Sequence, residues 1–126
     1  MLSDKRRAAK LGREGERRVA EYLKQNGYII LRRNWRDGRY GEIDIIAENR
    51  ENIVFVEVKT RSGKALVSGL EAIDRGKAQR TRIASEVFMR KLNTTLSPRI
   101  DVAEVTVTKD ADGKDIWRLN YIKSAF

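Results

Sequence analysis

At 126 residues the chain is long enough to bury a core and is read as one domain, and its 40% apolar and 36% charged residues describe a soluble protein with a heavily ionic surface. Cysteine and histidine are both absent, which excludes a disulfide framework, zinc sites of the His/Cys type and any imidazole base; no apolar run approaches the roughly 18 residues of a membrane span, and no signal-peptide pattern opens the chain. The net charge of +9, from 27 Lys+Arg against 18 Asp+Glu, points to a polyanionic partner, most simply nucleic acid, and the expected location is cytoplasmic with no membrane association.

In chain order, Ser3-Asp4 offers N-caps for a helix running to about Asn26, where Asn26-Gly27 supplies a C-terminal stop. YIILRRNW predicts a strand and DGRYG a turn. GEIDIIAE and IVFVEVKT predict two strands joined by Asn49–Asn52 in an antiparallel hairpin. A helix from about Leu70 to Leu92 follows, then the strands RIDVAEVTV and IWRLNYI linked by KDADGK. That loop resembles a calcium loop only superficially, since Tyr121 stands where the last ligand would be glutamate, and an Asp-Gly hairpin turn is the better reading. The order αβββαββ defines a mixed α/β domain.

A four-residue hairpin loop makes the numbers of facing residues sum to 101. One face then pairs Ile43 with Val58, Ile45 with Val56 and Ala47 with Val54, wholly apolar, whereas a one-residue slip would mix the faces. The other face pairs Ile46 with Phe55, Asp44 with Glu57 and Glu42 with Lys59. Two carboxylates directly across an antiparallel pair are unfavourable without a cation, and hard oxygen ligands suit magnesium or manganese. On the first helix, Ala9, Gly12, Val19, Ala20 and Leu23 form an apolar stripe with Glu16 at its centre, while Glu14 and Glu21 fall on the polar side. A glutamate so placed needs a partner: either a structural ion pair with a buried arginine, or a metal shared with Asp44 and Glu57. On the second helix, Lys77 and Arg80 interrupt an inner face set by Ile73, Ala84, Val87 and Phe88, as snorkelling side chains or as phosphate contacts.

Asp44 followed by Glu57-Val58-Lys59 resembles the PD-(D/E)xK nuclease motif of the restriction-endonuclease-like fold, with Ile43 where that motif often has proline. Gly12, Gly15-Glu16, Ala20, Leu23, Gly27-Tyr28, Asn34, Gly41–Asp44, Phe55–Lys59, Arg61, Lys77 and Arg99–Val102 together resemble the YraN-like family, of the UPF0102 type. The helix-borne glutamate ahead of the motif is also similar to that of archaeal Holliday-junction resolvases. The resemblance implies a single endonuclease-like domain over residues 1–126, a mixed β-sheet flanked by helices, and a magnesium- or manganese-dependent nuclease cleaving DNA, with branched or damaged DNA as a candidate substrate. It implies Asp44, Glu57, Lys59 and Glu16 as catalytic residues, and Asp44, Glu57, the Val58 carbonyl and Glu16 as metal ligands. Arg13, Arg17, Arg33, Arg36, Arg61, Lys77 and Arg80 are the candidate nucleic-acid contacts. The alternatives are a non-catalytic nucleic-acid-binding module that keeps the fold, and an ion-paired scaffold for a protein partner; a homodimer is allowed.

Overall fold

The computed structural model of the chain describes residues 2–38, 41–63 and 75–126. Helix α1 (Leu2–Gln25) leads into strands β1 (Ile29–Arg36), β2 (Glu42–Glu48) and β3 (Asn52–Ser62), then helix α2 (Arg75–Leu92) and strands β4 (Ser97–Lys109) and β5 (Asp115–Ile122). The strands form one five-stranded sheet in sequence order. Neighbours are antiparallel except β3 and β4, which run parallel and are joined through α2. The αβββαββ order and the mixed sheet flanked by helices are as the sequence predicts.

Helix α1 starts at Leu2, so Ser3 and Asp4 fall inside its first turn instead of capping it. Its end is the expected one. Tyr28 N–H donates to the Leu23 carbonyl at 2.9 Å and Gly27 N–H to that of Lys24 at 3.2 Å, with Gly27 at φ +86°. This is the Schellman pattern, which needs a left-handed residue that glycine supplies without strain. The predicted α2 start near Leu70 and the inner-face residue Ile73 lie outside the described residues.

Two cores sit on opposite faces of the sheet. Val19, Ala20 and Leu23 of α1 pack on Ile45, Ala47, Val54, Val56, Ala103 and Val105. Ala84 and Phe88 of α2 pack on Ile43, Ile46, Ile53, Phe55 and Ile100. The apolar stripe of α1 is shorter than predicted, because Ala9 is exposed and burial begins at Gly15. The inner face of α2 is Thr81, Ala84, Ser85 and Phe88, with Arg80 exposed, so Arg80 does not interrupt an apolar face. KDADGK is the expected hairpin turn: Asp110 Oδ1 accepts from the N–H groups of Asp112 and Lys114, and Gly113 takes φ +78°.

The predicted β2–β3 register holds at Ile45–Val56, Ile46–Phe55, Ala47–Val54 and Glu48–Ile53. It stops there, and the expected pairs Ile43–Val58, Asp44–Glu57 and Glu42–Lys59 are not part of the ladder. Ile43 also leaves the face of Ile45 and joins the α2 core. The cause lies in β1. Asn34 has φ +51°, and the β1–β2 ladder passes from Arg33–Ile45 to Trp35–Ile43 without it. A left-handed residue breaks the two-residue alternation of a strand. Arg33 therefore faces α1 while Trp35 stacks edge-on against Phe88 of α2, with ring centroids 5.3 Å apart. β2 follows the same reversal, and β2 and β3 fork apart beyond Ile45 and Val56.

Candidate functional site

Asp44 occupies this fork. Its Oδ2 accepts a 2.8 Å hydrogen bond from the Val58 N–H, a backbone donor that the continued ladder would have paired with β2. The side chain thus closes the ladder and is held against the Glu57-Val58 peptide. In an antiparallel pair one residue presents its N–H and C=O to the same neighbour, so the Val58 carbonyl belongs to the edge that faces Asp44. Glu57 is 3% exposed, and by the pleat it lies with Lys59 and Arg61 on the α2 side of β3. Lys59 Nζ stands 3.9 Å from Glu57 Oε1, an ion pair at a distance too long for a hydrogen bond.

Glu16 approaches the fork from α1. The helix comes close to β3 because residue 15 is glycine: a Cβ there would collide with Thr60 Oγ1 and sit 3.1 Å from Thr60 Cβ. The Glu16 side chain is 18% exposed and lies 3.9 Å from Arg33 Nη2. Burial pushes its carboxyl above the usual range, against a lowering hydrogen bond from the Asn34 side chain and the charge of Arg33; the charges of Glu42 and Glu57 add to the rise. Glu16 is therefore a half-buried carboxylate in the field of two others, beside an arginine that is itself exposed. The neighbouring glutamates behave differently. Glu21 is exposed, and Glu14 is tied to Arg17 at 2.7 Å and to Arg18 at 3.1 Å, which holds its carboxyl below the usual range.

The structure thus brings Asp44 to the Val58 N–H beside Glu57, Lys59 to Glu57, and Glu16 within the field of Glu42 and Glu57. Among the described residues, no three carboxylates converge closely enough to make a ready-formed cation cage. Of the candidate nucleic-acid contacts, Arg33 and Arg36 project from edge strand β1, Arg36 within 3.3 Å of Glu42. Arg13 is exposed on α1, and Arg17 is exposed but engaged by Glu14. Arg80 is exposed and passes 3.8 Å from where a Cβ on Gly41 would sit, which puts α2 beside the start of β2. Arg61 is half-buried, and the side chain of Lys77 lies outside the described residues.

Sequence reasoning leaves Glu42, the turn role of Asn34, and Glu104 outside the site. In the sequence Glu42 figures only in a ladder pair. A left-handed asparagine in mid-strand has a weak signal, its short polar side chain between Arg33 and Trp35. Glu104 reads as one polar position in an otherwise alternating strand.

No helix among the described residues is long and apolar enough to cross a membrane. A family model described as "Uncharacterised protein family UPF0102" matches residues 15–105, from the Gly15-Glu16 step of α1 into β4. A UPF0102 protein of Bacteroides thetaiotaomicron is 37% identical over 116 residues, covering 92% of this chain and 91% of the relative. A UPF0102 protein of Alkaliphilus metalliredigens is 40% identical over 117 residues, covering 92% of this chain and 96% of the relative. Every residue of the fork, and the helix glutamate that overlooks it, falls inside the matched span, and the chain belongs to the UPF0102 family.

Proposed function

We propose that the chain is a magnesium- or manganese-dependent nuclease that hydrolyses phosphodiester bonds in DNA, with branched or damaged DNA as the substrate class. The observation that carries this reading is the Asp44–Val58 hydrogen bond. It sets one carboxylate against the peptide that bears a second, buried carboxylate and precedes a lysine. The donor set fits a hard cation, because magnesium uses one or two carboxylates and completes its shell with water and substrate oxygens, so a three-carboxylate cage is not required. Asp44, Glu57 and the Val58 carbonyl would hold the ion, with Glu16 ligating directly or through water. When bound, the ion supplies a water of lowered pKa and stabilises charge developing on the phosphate.

The chain's own residues do the rest. Lys59 orients the attacking water, or neutralises charge on the phosphate as it develops. Arg33, Arg36 and Arg80, around the fork, fit backbone phosphates, which gives affinity without sequence readout. The test is cleavage of labelled linear, nicked, flapped and junction DNA with magnesium or manganese. Cleavage that is lost with EDTA and in Asp44→Asn and Lys59→Ala supports the reading. Tight DNA binding with no cleavage of any substrate would replace it with a non-catalytic binding module on the same fold.

A further inference from the structure

An open sheet exposes backbone N–H and C=O groups along both outer strands, and proteins blunt such edges with bulges, charges or a covering element. Here the outer strands are β1 and β5. β1 is blunted: its ladder with β2 slips between Ile30 and Arg32, Asn34 is left-handed, and Arg32, Arg33 and Arg36 line it. β5 is not. It pairs with β4 from Asp115 to Ile122 without a register shift, and it has no proline, glycine or positive φ. Among the described residues no strand pairs with its outer side, to which alternate residues turn both backbone groups.

The side chains of β5 favour one occupant. Trp117 and Tyr121 pack against the α1 core, so Leu119 between them belongs to the same face, where it is 36% exposed. A groove of about 330 Å³, lined by Tyr22 of α1, Val105, Trp117 and Leu119, runs between α1 and this edge. Two copies joined edge to edge about a two-fold axis run antiparallel with like faces aligned, so the numbers of facing residues have an even sum. At a sum of 238, Leu119 faces its counterpart on the axis, Trp117 faces Tyr121, Ile116 faces Ile122, Arg118 faces Asn120 and Asp115 faces Lys123. Apolar side chains meet apolar ones, and opposite charges meet each other. A sum of 236 sets Arg118 against Arg118, and 240 sets Arg118 against Ile122 and Trp117 against Lys123. We propose that β5 is the interface of a homodimer, in which two copies pair antiparallel about Leu119 and join their sheets into one. Asp115, half-exposed and 2.6 Å from Lys109 of its own chain, has room for the second copy's Lys123 as well. β4 and β3 lie between this edge and the fork, so the interface depends on no chemistry there.

Sedimentation velocity of the full chain over a concentration series tests the interface, in about 0.15 M salt, where the charge of +9 on each copy is screened beyond roughly 8 Å. Wild type should sediment as a dimer. Leu119→Lys sets like charges face to face on the axis and removes the leucine contact, and should weaken association about tenfold or more. The register is read separately, because the chain has no cysteine and one introduced thiol reports alone. Leu119→Cys should form a covalent dimer under mild oxidation, since facing Cβ atoms lie about 5 Å apart, close to disulfide reach. Ile29→Cys, exposed on β1, should not. The cysteine arm also decides the matter if the lysine variant does not fold. A wild type that stays monomeric throughout the series would overturn the proposal. So would a dimer indifferent to Leu119→Lys, a Leu119→Cys chain that forms no cross-link, or a cross-link formed as readily by Ile29→Cys.

Discussion

Glu16 is where residue chemistry and stability meet most directly. Its carboxyl is raised chiefly by burial, so the folded protein holds that proton more tightly than the unfolded chain, whose value is about 4.5. Above 4.5 the folded state binds more protons at this site, so stability from Glu16 falls as pH rises through the raised value and the deficit persists at neutral pH. Glu16→Gln should therefore raise the melting temperature of the metal-free protein at pH 7.5, with the gain fading below pH 4.5; a gain independent of pH would show that the charge is not the cause. Asp44 differs, because its oxygen pairs a backbone donor. Asp44→Ala orphans the Val58 N–H and should cost about 1–3 kcal/mol in urea unfolding, while Asp44→Asn, which keeps an acceptor, should cost less. If both carboxylates hold the ion, added magnesium should stabilise the wild type but neither variant.

Between elements, two contacts fix where the site-bearing segments lie. Gly15 lets α1 settle on Thr60 of β3, and Thr60 Cβ and Cγ2 would stand 3.1 and 3.2 Å from any added Cβ. Rotating the Thr60 side chain moves Oγ1 and Cγ2 together but leaves the 3.1 Å Cβ contact in place. Gly15→Ala gains up to about 1 kcal/mol of helix propensity but forces the helix off the strand at about 1–3 kcal/mol. We expect net destabilisation in chemical unfolding, and reduced DNA cleavage because Glu16 moves with the helix. The second contact is the buried network of β4. Asp101, fully buried, accepts from Arg99 Nε at 2.9 Å, Tyr121 O–H at 2.6 Å and Ser124 N–H at 3.0 Å. Arg99 in turn donates to Tyr28 O–H at 2.7 Å, which ties β4 to β5 and to the end of α1. Burial and the Asp101 carboxylate together raise Tyr121, keeping its proton on the phenol. Asp101→Asn strands Arg99 and should cost about 3 kcal/mol, read from denaturant melts.

At the scale of the whole molecule, the excess of nine positive charges needs a place to act. Arg33, Arg36 and Arg80 are exposed around the fork at Asp44, and Arg13 is exposed on α1. A duplex laid across them would make about four phosphate contacts, and log affinity should fall with log salt at a slope of roughly −3 to −4. Arg33→Ala/Arg36→Ala should reduce that slope by roughly two units, whatever the base sequence. Fluorescence anisotropy against a salt series measures both. A flat salt response would set the charge excess aside as general surface chemistry.

The sequence by itself determined the element order, the hairpin register from Ile45 to Glu48, the Gly27 stop and the Asp-Gly turn. Each depends on short-range periodicity or on the backbone freedom of one residue. It also singled out Glu16, Asp44, Glu57 and Lys59, because charge at a position whose pattern requires burial is conspicuous in one dimension. Only the tertiary structure decided how those residues meet. Extrapolated alternation set Asp44 directly across from Glu57, but the left-handed Asn34 reverses the pleat and turns that pair into a fork with Asp44 bonded to Val58. Glu104 stands alongside Lys59 only because β4 lies parallel to β3, a neighbour 45 residues away in the chain whose register no local pattern encodes. Long-range pairing is set by how two faces of a sheet bury against two helices at once, and that balance exists only in the folded molecule.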